Sequence, residues 1–141
     1  MHLMKLNVLA IVVSAVATMV LGFLWYSPML FARPWMIAMG LNPDDKEAIA
    51  KMQKSAGPMY GMSMMASLLT AAVLAKLFVA MGVGDVLYGL KIAFAVWLGF
   101  VMTVQLTNNL FSMKPFKLFL INTGYQLVCY LAIGAILAVW R

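Results

Sequence analysis

Four stretches of this sequence carry no charge: 27 positions between Lys5 and Arg33, 21 between Lys54 and Lys76, 22 between Lys91 and Lys114, and 23 between Lys117 and Arg141. Each reaches the roughly 20 residues that a helix rising about 1.5 Å per residue needs to cross about 30 Å of hydrocarbon. The pattern predicts four spans at about residues 6–27, 59–81, 87–109 and 116–140. Trp25 and Tyr26 fall at headgroup depth, and the Trp25-Tyr26-Ser27-Pro28 corner turns the chain out of the first span. Residues 28–39, with Trp35 among them and only Arg33 charged, read as a segment lying in the interface and closed by Gly40. A soluble-looking helix is predicted over about 43–55, with Asn42 as N-cap, Pro43 in the first helical position, and Gly57-Pro58 as its stop. Asp44, Asp45 and Glu47 complement its positive end, and Lys51 and Lys54 its negative end. A Gly82-Val83-Gly84-Asp85 turn joins spans two and three, and Lys114-Pro115 separates three from four. The expected fold is all-α: a single transmembrane domain over 1–141, an integral membrane four-helix bundle with a short interfacial and soluble helix in the first loop.

Composition agrees, since 65% of residues are hydrophobic and 10% charged, against about half and a quarter in soluble domains. With a mean hydropathy of +0.98, a soluble enzyme, a nucleic-acid-binding domain and a disordered tail are excluded. The net charge of +6 comes from basic residues spread singly along the span ends, which mark topology and lipid contact and make no nucleic-acid patch. Loops one and three hold Arg33, Lys46, Lys51, Lys54, Lys114 and Lys117, whereas the termini and loop two hold Lys5, Lys76, Lys91 and Arg141. That bias places loops one and three in the cytoplasm. Lys76 and Lys91 read as span-end anchors pairing with Asp85. The first apolar run exceeds a signal-peptide core and lacks a small-x-small cleavage site, so it reads as a retained span. Cys129, the single cysteine, lies within a span and has no intrachain partner for a disulfide.

Leu21-Gly22-Phe23, Leu30-Phe31, Arg33-Pro34-Trp35 and Ala71-Ala72-Val73-Leu74-Ala75 are echoed in order by Leu98-Gly99-Phe100, Leu110-Phe111, Lys114-Pro115-Phe116 and Gly134-Ala135-Ile136-Leu137-Ala138. With two spans in each half, a duplication would be a parallel repeat about an axis along the membrane normal.

Trp25-Tyr26-Ser27-Pro28-x-Leu30-Phe31, with Trp35 and Gly40 beyond it, resembles a family of small bacterial four-span membrane proteins known only as a domain of unknown function. So does the closing run Lys117-Leu118-Phe119-Leu120-Ile121-Asn122-Thr123-Gly124-Tyr125-Gln126 through Gly134 to Trp140. The resemblance covers nearly the whole chain. It implies a bacterial inner-membrane protein with the same span order, and it implies no activity. Any functional weight placed on the polar Gln105, Asn108 and Asn109 near the end of the third span rests on this sequence alone.

All four acidic residues, Asp44, Asp45, Glu47 and Asp85, fall in loops, and the one histidine is His2. No carboxylate or imidazole lies at mid-membrane to relay protons, hold a hard metal or act as a base, so no catalytic residue and no cofactor is expected. Met59, Met62, Met64 and Met65 carry soft thioethers suited to Cu(I), but they read as adaptable apolar filler and no metal site is assigned. Asn122, Gln126 and Tyr130 recur every four residues along one face of the fourth span, with Tyr125 and Cys129 beside it. That face must turn to other helices or to a wet cavity. Ala10, Ser14, Thr18 and Gly22 on the first span, and Ser63, Ser67, Ala71 and Ala75 on the second, form small-residue stripes that allow close helix approach. The reading that follows is a structural or accessory membrane protein, not an enzyme, that packs against itself or a membrane-protein partner in contact with membrane lipid. The alternative is a small oligomeric transporter or channel for a small solute or lipid. The direction in which the Asn122, Gln126, Tyr130 face points separates the two.

Overall fold

The computed structural model describes residues 6–140, so His2, Lys5 and Arg141 lie outside the described residues. All described elements are helical: α1 (Val8–Trp25), α2 (Ala32–Ala38), α3 (Lys46–Lys54), α4 (Gly57–Met81), α5 (Val86–Phe111, with a π-helical stretch at Trp97–Met102) and α6 (Phe116–Val139). Of these α1, α4, α5 and α6 are long and apolar enough to cross a membrane.

Local chemistry sets the boundaries. The Asn7 side chain caps α1 by accepting from the Ala10 amide at 3.1 Å. Asp85 caps α5 in the same way through the Tyr88 amide at 3.3 Å, so it closes a helix end instead of pairing with Lys76 or Lys91; among the described residues the one ion pair is Arg33–Asp44, at 3.3 Å. Gly82 ends α4 with φ +67°, a left-handed conformation that glycine adopts without a Cβ penalty. Two joints differ from the sequence expectation. The loop helix begins at Lys46 with Asp45 as its cap, because Asn42 spends its side chain on a turn, accepting from the Asp44 amide at 2.9 Å. Gly57-Pro58 does not stop that helix but opens α4, where a proline in the first turn gives up a donor that has no intrahelical partner anyway.

α6 is the centre of the bundle. It packs along α1 on one side and α5 on the other, while α4 packs along α1. A two-fold relation between the halves would make α4 meet α5 as α1 meets α6; α4 and α5 are not packed along their lengths, so the tertiary arrangement does not repeat. Lipid is as apolar as leucine, so close backbone approach and hydrogen bonds hold spans together. The α5–α6 crossing shows this: a Cβ added to Gly134 would lie 2.9 Å from the Ala93 Cβ and 3.3 Å from the Gly89 carbonyl oxygen. Ala10, Ser14 and Thr18 of the first small-residue stripe are buried. Ala71 and Ala75 of the second are buried too, but Ser63 is exposed; the first turn of α4 meets α1 through the Tyr60 ring, edge-on to Phe23 at 5.5 Å.

Candidate functional site

The end of the bundle that carries loops one and three is rich in aromatic and amide groups. Trp25 and Tyr26 leave α1 there and clamp it to α6: Trp25 Nε1 donates to the Ile121 carbonyl at 3.0 Å, and the Tyr26 hydroxyl donates to Asn122 Oδ1 at 2.8 Å. From α6 the Tyr125 hydroxyl donates back to the Thr18 carbonyl at 2.8 Å. On the other flank Trp97 Nε1 of α5 donates to the Thr123 carbonyl at 3.0 Å. Helical carbonyls have a second lone pair, so these side chains add bonds between helices without breaking any within them. Rings fill the spaces between: Tyr26 meets Tyr125 edge-on at 5.3 Å and Trp35 of α2 at 5.9 Å, and Trp25 lies 4.7 Å from Phe31. Gly124 is small because Trp25 rests on it, 3.2 Å from where a Cβ would stand. Ser27 closes the corner by donating to the Leu24 carbonyl at 2.7 Å, after which Pro28 is exposed.

Deeper in the bundle, Thr18 donates to the Ala15 carbonyl at 2.7 Å and is hydrogen-bonded to the Ser67 hydroxyl at 2.8 Å. Tyr130 and Thr70 stand beside them. A cavity of about 40 Å³ lies between these groups and Gln126, room for a water or two at most. The face of Asn122, Gln126 and Tyr130 is therefore half-buried against α1 and α4, with Asn122 bonded across the seam to Tyr26.

A second arrangement adjoins the seam. Between the last turns of α5 and the first turns of α6 is a hollow of about 340 Å³, lined by Gln105, Asn108, Asn109, Ser112, Lys114 and Asn122 over a floor of Leu118 and Phe119. The π-helical stretch makes it. In an uninterrupted helix the positions facing α6 after Ala93 and Trp97 would be Phe100, then Thr103 and Val104, then Thr107. Phe100 is 74% exposed, Thr103, Val104 and Thr107 are exposed, and the partly buried positions are Val101, Met102, Gln105, Leu106 and Asn109. One extra residue in the π turn has rotated the helix beyond it by about 100°. No helical periodicity in the sequence points these amides at α6. On the far side of Asn122 lies another hollow of about 370 Å³, lined by Tyr26, Trp35, Met36 and Met39.

Of the four thioethers near the start of α4, Met59, Met62 and Met65 are 64%, 73% and 71% exposed and Met64 is partly buried. Among the described residues no group of three or more His, Cys, Asp or Glu side chains is placed to hold a metal ion.

No curated protein and no solved structure matches this chain. A family model described as a protein of unknown function, DUF1761, matches residues 9–138. With nearly its whole length covered, all-α and carrying four helices fit to cross a membrane, the chain belongs to that family.

Proposed function

We propose that the protein is an accessory component of the bacterial inner membrane, with loops one and three in the cytoplasm, that works by packing one of its helices against a helix of another subunit. The observation that carries this reading is the state of α4. Its positions Gly57 to Ser63 are all exposed, and a Cβ on Gly57 or Gly61 would meet nothing within 4 Å. A glycine inside a helix costs about 1 kcal/mol relative to alanine, and no close contact within the subunit offsets that cost at Gly61. Four residues apart, Gly57 and Gly61 form a small-xxx-small notch that lets a second backbone approach. The same face continues through the exposed Met65 and Leu69, adaptable side chains suited to a helix partner. The polar face of α6, by contrast, spends its bonds within the subunit, which favours packing over passage of a solute. A second copy of the same notch is the simplest partner, since small-xxx-small faces are self-complementary.

Oxidative cross-linking in membranes tests this. In a Cys129→Ala background, Met65→Cys is expected to give a covalent dimer, whereas Val13→Cys on the outer face of α1 gives none. Gly61→Leu should abolish the Met65→Cys dimer. Equal cross-linking at both positions, or a native protein that is monomeric at every concentration in lipid nanodiscs, overturns the self-association reading.

A further inference from the structure

No helix of the described chain packs along α3. None of its nine residues is buried, and Ile49 alone is partly covered. Its ends are closed from within: Asp45 accepts from the Ala48 amide at 3.1 Å, and the Ser55 hydroxyl donates between the Lys51 and Met52 carbonyls, 3.2 Å and 3.1 Å away. Caps alone do not hold so short a helix in water, where fewer than about 12 residues are marginal even for the best helix formers, and packing of one face supplies the rest. A surface outside the subunit therefore takes a face of α3.

The residues show which face and what surface. At about 100° per residue, Ala48, Met52 and Ile49 fall within one arc of about 100°. Lys46 and Lys51 stand about 60° to either side of that arc, and Ala50, Glu47 and Lys54 lie opposite. Lysines on both borders of an apolar face suit a phospholipid leaflet, because their stems lie along the acyl region while the ammonium groups reach the phosphates. A second copy of the same face would set lysine borders against lysine borders, whereas phosphates complement them. The nearby carboxylates do not oppose this: Asp44 pairs with Arg33 at 3.3 Å, Asp45 is spent on the cap, and Glu47 is on the far face. The course of the chain sets the depth. Three positions after Lys54 it enters α4 at Gly57, so α3 ends within about 11 Å of a helix fit to cross the membrane. Before α3, the exposed Met29, Leu30 and Ile37 present apolar surface as well.

We propose that α3 is a surface anchor, lying flat on a phospholipid leaflet with Ile49 and Met52 at the boundary of headgroups and acyl chains and with Lys46 and Lys51 on lipid phosphates.

Spin labels on the full chain test this in a Cys129→Ala background, in nanodiscs of phosphatidylethanolamine and phosphatidylglycerol. Labels at Met52→Cys and at Ala50→Cys are compared by power saturation with oxygen, which concentrates in lipid, and with a water-soluble nickel chelate. The Met52 label is expected to be at least about threefold less open to the chelate than the Ala50 label, and more open to oxygen. Lys46→Glu together with Lys51→Glu should raise chelate access at Met52 severalfold and leave Ala50 as it was. Gly61→Leu, which bears on the α4 contact, should change neither label. Equal chelate access at the two positions overturns the proposal. So does a Met52 label shielded from oxygen and chelate alike, or one released by Gly61→Leu, since either places protein on this face. Indifference of the Met52 label to the paired lysine exchange overturns it as well, because the lysines would then hold no phosphate.

Discussion

The Tyr125 hydroxyl stands over Gly22: it donates to the Thr18 carbonyl at 2.8 Å, and a Cβ built on Gly22 would lie 2.9 Å from it. The glycine makes room for the bond that ties α1 to α6. Tyr125→Phe should therefore destabilise the bundle by about 0.6 kcal/mol, and by no more than about 1.7. Gly22→Ala should cost about 1 to 3 kcal/mol by overpacking. In a Tyr125→Phe background the alanine should cost less, because the next ring atom is 3.4 Å away. Thermal unfolding in mild detergent, run as a double-mutant cycle, measures the coupling; additive costs would mean that the hydroxyl is not what the alanine meets.

At the α5–α6 crossing the obstacle is backbone and Cβ, neither of which swings aside. Gly134→Ala is expected to cost about 1 to 3 kcal/mol. Gly99→Ala, where a Cβ meets nothing within 4 Å, should stay within about 0.5 kcal/mol of the native protein. Equal unfolding temperatures for the two variants would show that α5 and α6 do not approach this closely.

Replacing both Asn122 and Gln126 by leucine removes the acceptor of the Tyr26 hydroxyl and strips the 40 Å³ cavity of its amide. The double variant should insert normally and unfold about 1 to 3 kcal/mol more easily, since Tyr26 keeps a half-buried donor without its partner. Its oligomer size should be unchanged, because the intersubunit contact is assigned to α4. A Leu127→Ala control reports simple loss of packing; a double variant as stable as the native chain would show that the seam is not held by these groups.

Loops one and three leave the same end of the bundle. Reporter fusions at Lys54 and at Lys114 should therefore agree with each other, and the basic residues around them predict that both read cytoplasmic. Opposite readings at the two sites would contradict the fold; a shared periplasmic reading would contradict only the charge bias.

The sequence by itself determined the four spans, the all-α class and the family, because a charge-free run of about 20 residues has one stable course through hydrocarbon and that signal is local. It also pointed to the corner at Trp25-Tyr26-Ser27-Pro28 and to Asn122 on α6, since aromatic rings and amides at span ends are conspicuous against an apolar background. Tertiary structure decided which of these groups meet. Tyr26 finds Asn122 across 96 positions of sequence, and Gly89 finds Gly134 at a crossing that neither local stretch encodes. The start of α3 turned on whether Asn42 or Asp45 took the helix end, and Gly57-Pro58 suits the first turn of one helix as well as the stop of another, differences too small in free energy to read from residue types. The hollow at Gln105 was hidden for a geometric reason. Extrapolating an α-helical period along α5 aims Phe100 and Thr103 at α6, and only the π turn at Trp97–Met102, fixed in place by packing and by the Trp97 bond to Thr123, swings Gln105 and Asn109 inward instead.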